Sequence, residues 1–234
     1  MLDSKVPFDV NFVYDVKELQ NDRVRLVPFV PATFAQSLFD LLKPHPELFT
    51  YLPMGPFLTM DELLEFLYNT GHKQPSWIIF AILDRTKAVD HNRWGDGQLA
   101  GTIALLNTEA HNFSTEVGFV MVGKEFQRTH VTSNAVGLLL QWCFSELGLR
   151  RVQWQANYRN EPSVQTAIKM GFKHEGTIRW QRVLPVECAS VGEPVKRNGK
   201  DEVPGRHSAM LGMYWDQWEA GTSETVATRM ARTV

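Results

Sequence analysis

Several shortages in this sequence each remove a class of function. Cysteine occurs only twice, at Cys143 and Cys188, with no metal-ligand spacing between them. That argues against a disulfide scaffold or a zinc ribbon and favours a reducing, cytoplasmic setting. No apolar run approaches the roughly 18 residues that a membrane-crossing helix needs, and MLDSKVPFDV lacks the basic-then-apolar pattern of a secretory leader. Neither sign of charge dominates: 24 Lys and Arg against 26 Asp and Glu leave a formal net charge of −2. A general attraction to nucleic acid or to an anionic membrane is therefore not implied. There is no internal repeat, no Ser-His-Asp order, no thiol nucleophile and no metal constellation. Glycine is also missing where it would be informative, from the polar stretch EFQRTHVTSNA (125–135).

What is present describes a globular chain. Its 234 residues are 44% apolar and 21% charged, enough to bury a sizeable core in one domain with short appendages. VRLVPF (24–29), WIIFAIL (77–83), QLAGTIALL (98–106), TEVGFVMV (115–122) and RVQWQAN (151–157) read as strands. Phe34, Leu38, Leu41 and Leu42 share one face of a helix that begins near Pro31 and stops at Pro44. Thr59 and Glu62 form a capping-box signature for a second helix, ending near Gly71. Val136, Leu139, Leu140, Cys143, Phe144 and Leu147 make the clearest helical stripe, closed by Gly148. A short helix follows Asn160 and closes at Gly171, and FKHEGTIRWQRVL and RHSAMLGMYW read as two long strands. DRTKAVDHNRWGDG reads as a long polar turn, and residues 187–205 as a mobile insertion between the last two strands. Residues 1–22 are expected to form an arm, 23–218 the domain, and 219–234 a frayed or disordered tail. Strand–helix–strand units in the middle imply an α/β sheet of mixed direction with crossover helices.

Four blocks in this order carry a resemblance: EVGF followed by QRTHVT, then LGLRRV, then RNEPSVQTAIKMGFKHEGTIR, then RHSAMLGMYWDQW. The sequence resembles the GCN5-related N-acetyltransferase (GNAT) superfamily, and within it the group similar to ribosomal-protein N-terminal acetyltransferases. The resemblance spans about residues 22–218. It implies an α+β fold with a mixed, mostly antiparallel central sheet and flanking helices. It also implies acetyl-CoA as cosubstrate, no metal, and direct acetyl transfer within a ternary complex. The acceptor would be a primary amine of a small molecule or a peptide N-terminus, and the protein a monomer or homodimer. A catalytically silent CoA-binding or protein-interaction module on the same fold is the alternative, because two glycines of the family's pyrophosphate loop are replaced here, by His130 and Thr132.

The resemblance assigns roles residue by residue. Gln127, Arg128, Thr129, His130, Val131, Thr132 and Ser133 would hold the pyrophosphate. Chemistry supports this in part: Thr132, Ser133 and Asn134 can all cap a helix, helix N-termini attract anions, and Arg128 adds fixed positive charge. The backbone of Val120, Met121 and Val122 would pair with the pantetheine arm, with an N–H polarising the thioester carbonyl. Asn160 would contact the same arm and the Ser163 hydroxyl would protonate the leaving thiolate; as a plain structural pair they are a helix cap and a first-turn residue. Glu116 lies eleven residues before Gln127, as in histone-type members, and is the candidate base. Alternation places Glu116, Gly118, Val120 and Val122 on one face of their strand, opposite Val117, Phe119 and Met121, and a glycine beside a carboxylate leaves room for a ligand. Tyr51 and Phe57, in the loop between the first two helices, are candidates for the acceptor pocket. Trp77, Trp142 and Trp154 are expected in the core.

Overall fold

The computed structural model describes residues 11–87 and 96–232; most of the polar turn read at 84–97 and the first ten residues lie outside them. Among the described residues nine strands form one sheet in the order β1-β2-β3-β4-β5-β6-β9-β7, with β8 beside β9. They are β1 (Leu19–Gln20), β2 (Val24–Pro28), β3 (Ile78–Asp84), β4 (Gln98–Glu109), β5 (Ser114–Val122), β6 (Arg151–Asn157), β7 (Lys173–Val183), β8 (Glu193–Arg197) and β9 (Lys200–Tyr214). Every pairing is antiparallel except β5 with β6. That one parallel pair requires a crossover, and helix α3 (His130–Gln141) supplies it.

Both faces of the sheet are covered, which explains why β3 is apolar at every position but its last. On one face α3, α4 (Glu161–Lys169) and α6 (Ser223–Ala231) bury Leu26, Phe80, Val117, Leu139, Trp142, Trp154 and Leu211. On the other, α1 (Pro31–Leu42) and α2 (Met60–Leu67) cover Ala81, Leu83, Leu106, Phe119 and Met121. Local chemistry starts these helices as the sequence suggests. Thr59 Oγ1 accepts from Glu62 N–H, and the Glu62 carboxylate reaches back to Leu58 N–H at 2.8 Å. Trp142 and Trp154 are core, and Trp77 packs against its edge.

Three expectations change. The insertion is not irregular chain: β8 and β9 form a hairpin whose turn, Asn198–Gly199, takes two positive φ angles, 53° and 78°. Asn-Gly is the residue pair that such a turn favours. A one-turn α5 (Trp215–Gln217) follows β9, and the tail beyond it is not frayed: Val226 and Met230 of α6 are buried against α3. Gly137 allows that approach, since a Cβ there would meet the Met230 side chain. Asn134 and Arg23 donate to the Met230 carbonyl, satisfying the end of α6. Finally, β5 does not alternate throughout. Phe119 has φ +50° and the register with β4 slips between Thr102↔Met121 and Ala104↔Gly118, a bulge of one extra residue in β5. Val117, Val120 and Val122 consequently pack on the α3 face, while Phe119 and Met121 pack on the α1–α2 face.

Gly101 and Gly148 give a test of this packing. A Cβ at Gly101 (φ +149°) would overlap the Met121 carbonyl in the neighbouring strand, whereas one at Gly148 (φ +62°) would meet nothing within 4 Å. Gly148→Ala should cost about 1–2 kcal/mol from backbone strain alone. Gly101→Ala should cost at least about 3 kcal/mol, or roughly 6–12 °C in Tm. Thermal unfolding of the two variants would contradict the β4–β5 packing if the losses were equal.

Candidate active site

The parallel pairing of β5 and β6 is short. It runs from Ser114↔Arg151 to Val117↔Trp154 and then stops, although both strands continue. Beyond that point β5 keeps β4 on one side and β6 keeps β9 on the other, so the facing edges of Gly118–Val122 and Gln155–Asn157 part. The direction of the exposed groups follows from peptide planarity. Gly123 N–H bonds Ala100 O of β4, so the Val122 carbonyl points away from β4, into the parting. There Gln127 Nε2 donates to it at 3.2 Å. Thr102 Oγ1 donates to the Phe119 carbonyl at 3.2 Å, which turns the Val120 N–H towards the parting in the same way.

At the outer end of β5 lies the glycine-free loop. Helix α3 starts at His130, earlier than the stretch Thr132–Asn134 suggests, and Thr129 caps it by accepting from Val131 N–H. Positive φ occurs at Arg128 (61°), not at His130 or Thr132. Those two positions are ordinary helix residues, so replacing glycine there introduces no backbone strain. Gln127 and Arg128 are exposed, and Thr129, Thr132 and Ser133 are half-buried. The His130 side chain turns inward: its Nε2 lies 3.1 Å from Asp84 Oδ1, and the residue is 9% exposed. What His130 offers to the loop is its backbone N–H. Asn134 is fully buried between Asn21 and the His130 carbonyl and plays no part in capping α3.

Asn160 and Ser163 sit where β6 leaves β5. Asn160 Oδ1 caps α4 by accepting from Ser163 N–H at 3.2 Å. Trp154, the last residue of the parallel pairing, donates from its indole Nε1 to Ser163 Oγ at 3.1 Å. With an acceptor position filled, the hydroxyl keeps its own proton to give. The helix-cap reading of Asn160 thus holds and does not compete with a role for Ser163.

Glu116 lies on the opposite face of the same point. It is 4% exposed, and its Oε2 accepts from Asn107 Nδ2 (3.1 Å), Gln153 Nε2 (3.2 Å) and Gln155 Nε2 (2.8 Å). No donor to Oε1 is found among the described residues. Burial raises the carboxyl pKa above its usual value, opposed by the amide donors and by the charges of Arg182 and Arg206. The room expected beside Gly118 is filled: a Cβ there would lie 2.6 Å from Leu106 Cδ1. The amides were legible as Gln153 and Gln155, two polar residues at strand spacing between apolar Val152, Trp154 and Ala156. Their convergence on Glu116 was not, because it depends on which strands become neighbours.

The aromatic candidates divide. Phe57 packs in a chain of rings, edge-on to Phe49 and tilted against Phe66, which in turn stacks on Phe119. It also lines a cavity of about 200 Å³ between α1 and α2, with Phe39, Lys43 and Leu58, on which Glu116 does not border. Tyr51 is half-buried, on the side of the fold that carries Arg159. The hairpin β8–β9 reaches the same corner, where Glu193 pairs with Arg159 and Tyr158. Among the described residues no group of three or more His, Cys, Asp or Glu is arranged to hold a metal, and no helix is long and apolar enough to cross a membrane.

Known proteins share this fold. Residues 23–173 match the family model described as "Acetyltransferase (GNAT) domain". A Bacillus subtilis (strain 168) protein named "Putative ribosomal N-acetyltransferase YdaF" is 36% identical over 84 residues, which span 36% of this chain and 45% of that relative, so the chain matches less than half of its length. A GCN5-related N-acetyltransferase from Brucella melitensis superposes with a TM-score of 0.75 over 93% of this chain and 87% of its own, at 24% identity. A spermidine N-acetyltransferase from Vibrio cholerae, solved with CoA and spermine, does so with a TM-score of 0.61 over 85% and 99%, at 14% identity. The two structures show the shared fold. The family model covers well over half of the chain, and the chain belongs to the GNAT acetyltransferase family.

Proposed function

We propose that this protein moves the acetyl group of acetyl-CoA directly to a primary amine, on a small molecule or a peptide N-terminus, within a ternary complex. One observation carries the reading. The two strands part at Val117↔Trp154, with the Ser163 hydroxyl tethered on one face of that point and Glu116 buried on the other. The unpaired β5 edge suits the amide-bearing pantetheine arm, which would add to the sheet beside Val120, Met121 and Val122. The Val120 N–H would polarise the thioester carbonyl. Arg128 and the first-turn N–H groups of α3, from His130 to Ser133, would face the pyrophosphate, with Gln127 and Thr129 shaping the loop. In transfer, the amine nitrogen forms a bond to the carbonyl carbon as the carbon–sulfur bond breaks. Glu116 Oε1 takes the amine proton, Ser163 gives one to sulfur, and solvent restores the serine.

Binding and turnover can be tested separately. Acetyl-CoA at about 100 times its Kd should stabilise the fold by about 2.7 kcal/mol, a rise of roughly 5–11 °C in Tm for a chain of this size. ATP at the same concentration should not; equal shifts would mean the loop is an unselective anion site. Binding without turnover of any amine would favour the silent module.

Glu116→Gln should lower kcat/KM for the acceptor about 10²-fold or more and remove the acid limb of its pH profile. The stability effect has the opposite sign. A carboxyl whose folded pKa is raised stabilises the fold below its unfolded pKa and loses that contribution as pH rises through the folded value. The Gln variant should therefore gain Tm relative to wild type between acid and neutral pH. An unchanged pH–rate profile would remove Glu116 as the base.

A further inference from the structure

Beyond Glu116, the same face of the sheet carries a charged end that the transfer chemistry does not use. Strand alternation places Arg206, Ser208 and Met210 of β9 on the same face as Gln153 and Gln155 of β6, with Met210 opposite Gln155 and Arg206 farther along, since Ala209, Leu211 and Met213 point to the α3 face. Arg206 is 5% exposed, yet its one hydrogen bond among the described residues is from Nε to Ser208 Oγ at 3.0 Å. Its cross-strand partner is another cation, Arg182, and neither forms an ion pair among the described residues. Burial and the Arg182 charge lower the Arg206 pKa to about 10; the carboxylate that acts against them is Glu116. An unpaired guanidinium at such depth is costly unless something anionic meets it.

The middle of the face is oriented by Glu116. Because its carboxylate accepts from Gln155 Nε2, the Gln155 Oε1 must accept, and Gln181 Nε2 donates to it at 2.7 Å. Gln181 gets there because β7 bulges: three residues, 179–181, stand opposite His207 alone between Ile178↔Ser208 and Arg182↔Arg206. The relay leaves Gln181 Oε1 buried with no donor. The face thus presents acceptors, Gln181 Oε1 and Glu116 Oε1, next to a pair of arginines.

We infer that the acceptor is a small amine that also carries a carboxylate, such as a free amino acid, with its carboxylate held by Arg206 and Arg182 and its amine held by Gln181 and Glu116. This rests on the transferase reading and narrows its acceptor. Arginine suits a carboxylate through its two-pronged donor geometry. A polyamine or a simple alkylamine would leave the guanidinium of Arg206 unpaired.

The test is an acetylation assay with free amino acids, their amides, their decarboxylated amines, spermidine, and a peptide with an acidic second residue. The wild-type enzyme should prefer at least one free amino acid over its own amide by about 10- to 100-fold in kcat/KM. Arg206→Met should collapse that ratio towards one. Arg182→Gln, at an exposed position, should reduce it, and serves if the buried variant fails to fold. Equal use of acid and amide, or preference for spermidine or the peptide, overturns the inference while leaving the transferase intact. Should no amine turn over, calorimetry with CoA present decides: an N-acetyl amino acid should bind more tightly than its amide, and equal or no binding overturns the inference. Failure to bind acetyl-CoA at all would instead sink the transferase reading.

Discussion

The structure depends on β5 leaving β6 halfway along its length. A strand in mid-sheet normally pairs on both sides, and an unpaired edge in the interior needs a cause. Here the cause is the bulge at Phe119. A bulky residue at φ +50° is strained by about 1–3 kcal/mol, and two contacts hold it. Thr102, itself buried, bonds the Phe119 carbonyl, and the Phe119 ring stacks on Phe66 of α2 with centroids 5.3 Å apart. The bulge also moves the side chains. Before it, Glu116 faces the α1–α2 side; after it, Val120 and Val122 face α3. A carboxylate on one face and an open backbone edge thus come from neighbouring stretches of one strand.

The two faces of the parting have different chemistry. On the α3 face, Ser163 is fixed by an indole N–H and a helix cap, both neutral. On the other, Glu116 is held by three amides and sensed by two arginines. Amide donors satisfy a carboxylate without neutralising it as a contacting cation would, and burial then keeps its proton affinity high. That combination suits a group that must accept a proton and release it again.

Elements governed by local chemistry were legible in the sequence. The Thr59–Glu62 cap, the apolar stripe from Val136 to Leu147 and the stop at Gly171 needed only neighbours in the chain. The hairpin at Asn198–Gly199 is equally local, since this residue pair favours positive φ at both turn positions. The start of α3 is ambiguous in sequence because Thr129, Thr132, Ser133 and Asn134 can all cap; Thr129 takes the cap, and Asn134 is buried against the end of α6. The bulge was not legible. Strand alternation is the default inference from sequence, and Phe119 departs from it because of Thr102 and Phe66, distant in the chain. The Arg182–Arg206 pair depends on the β7–β9 register and was invisible for the same reason.

Hydrogen exchange at single residues addresses the parting of the strands directly. Among the described residues the Val120 amide has no strand partner, whereas amides of β5 up to Val117 lie within the sheet. Adding CoA should slow exchange at Val120 strongly, with little change at Val117. Unchanged exchange at Val120 under saturating CoA would contradict the account, because the arm would then lie elsewhere and the open edge of β5 would have no part in binding.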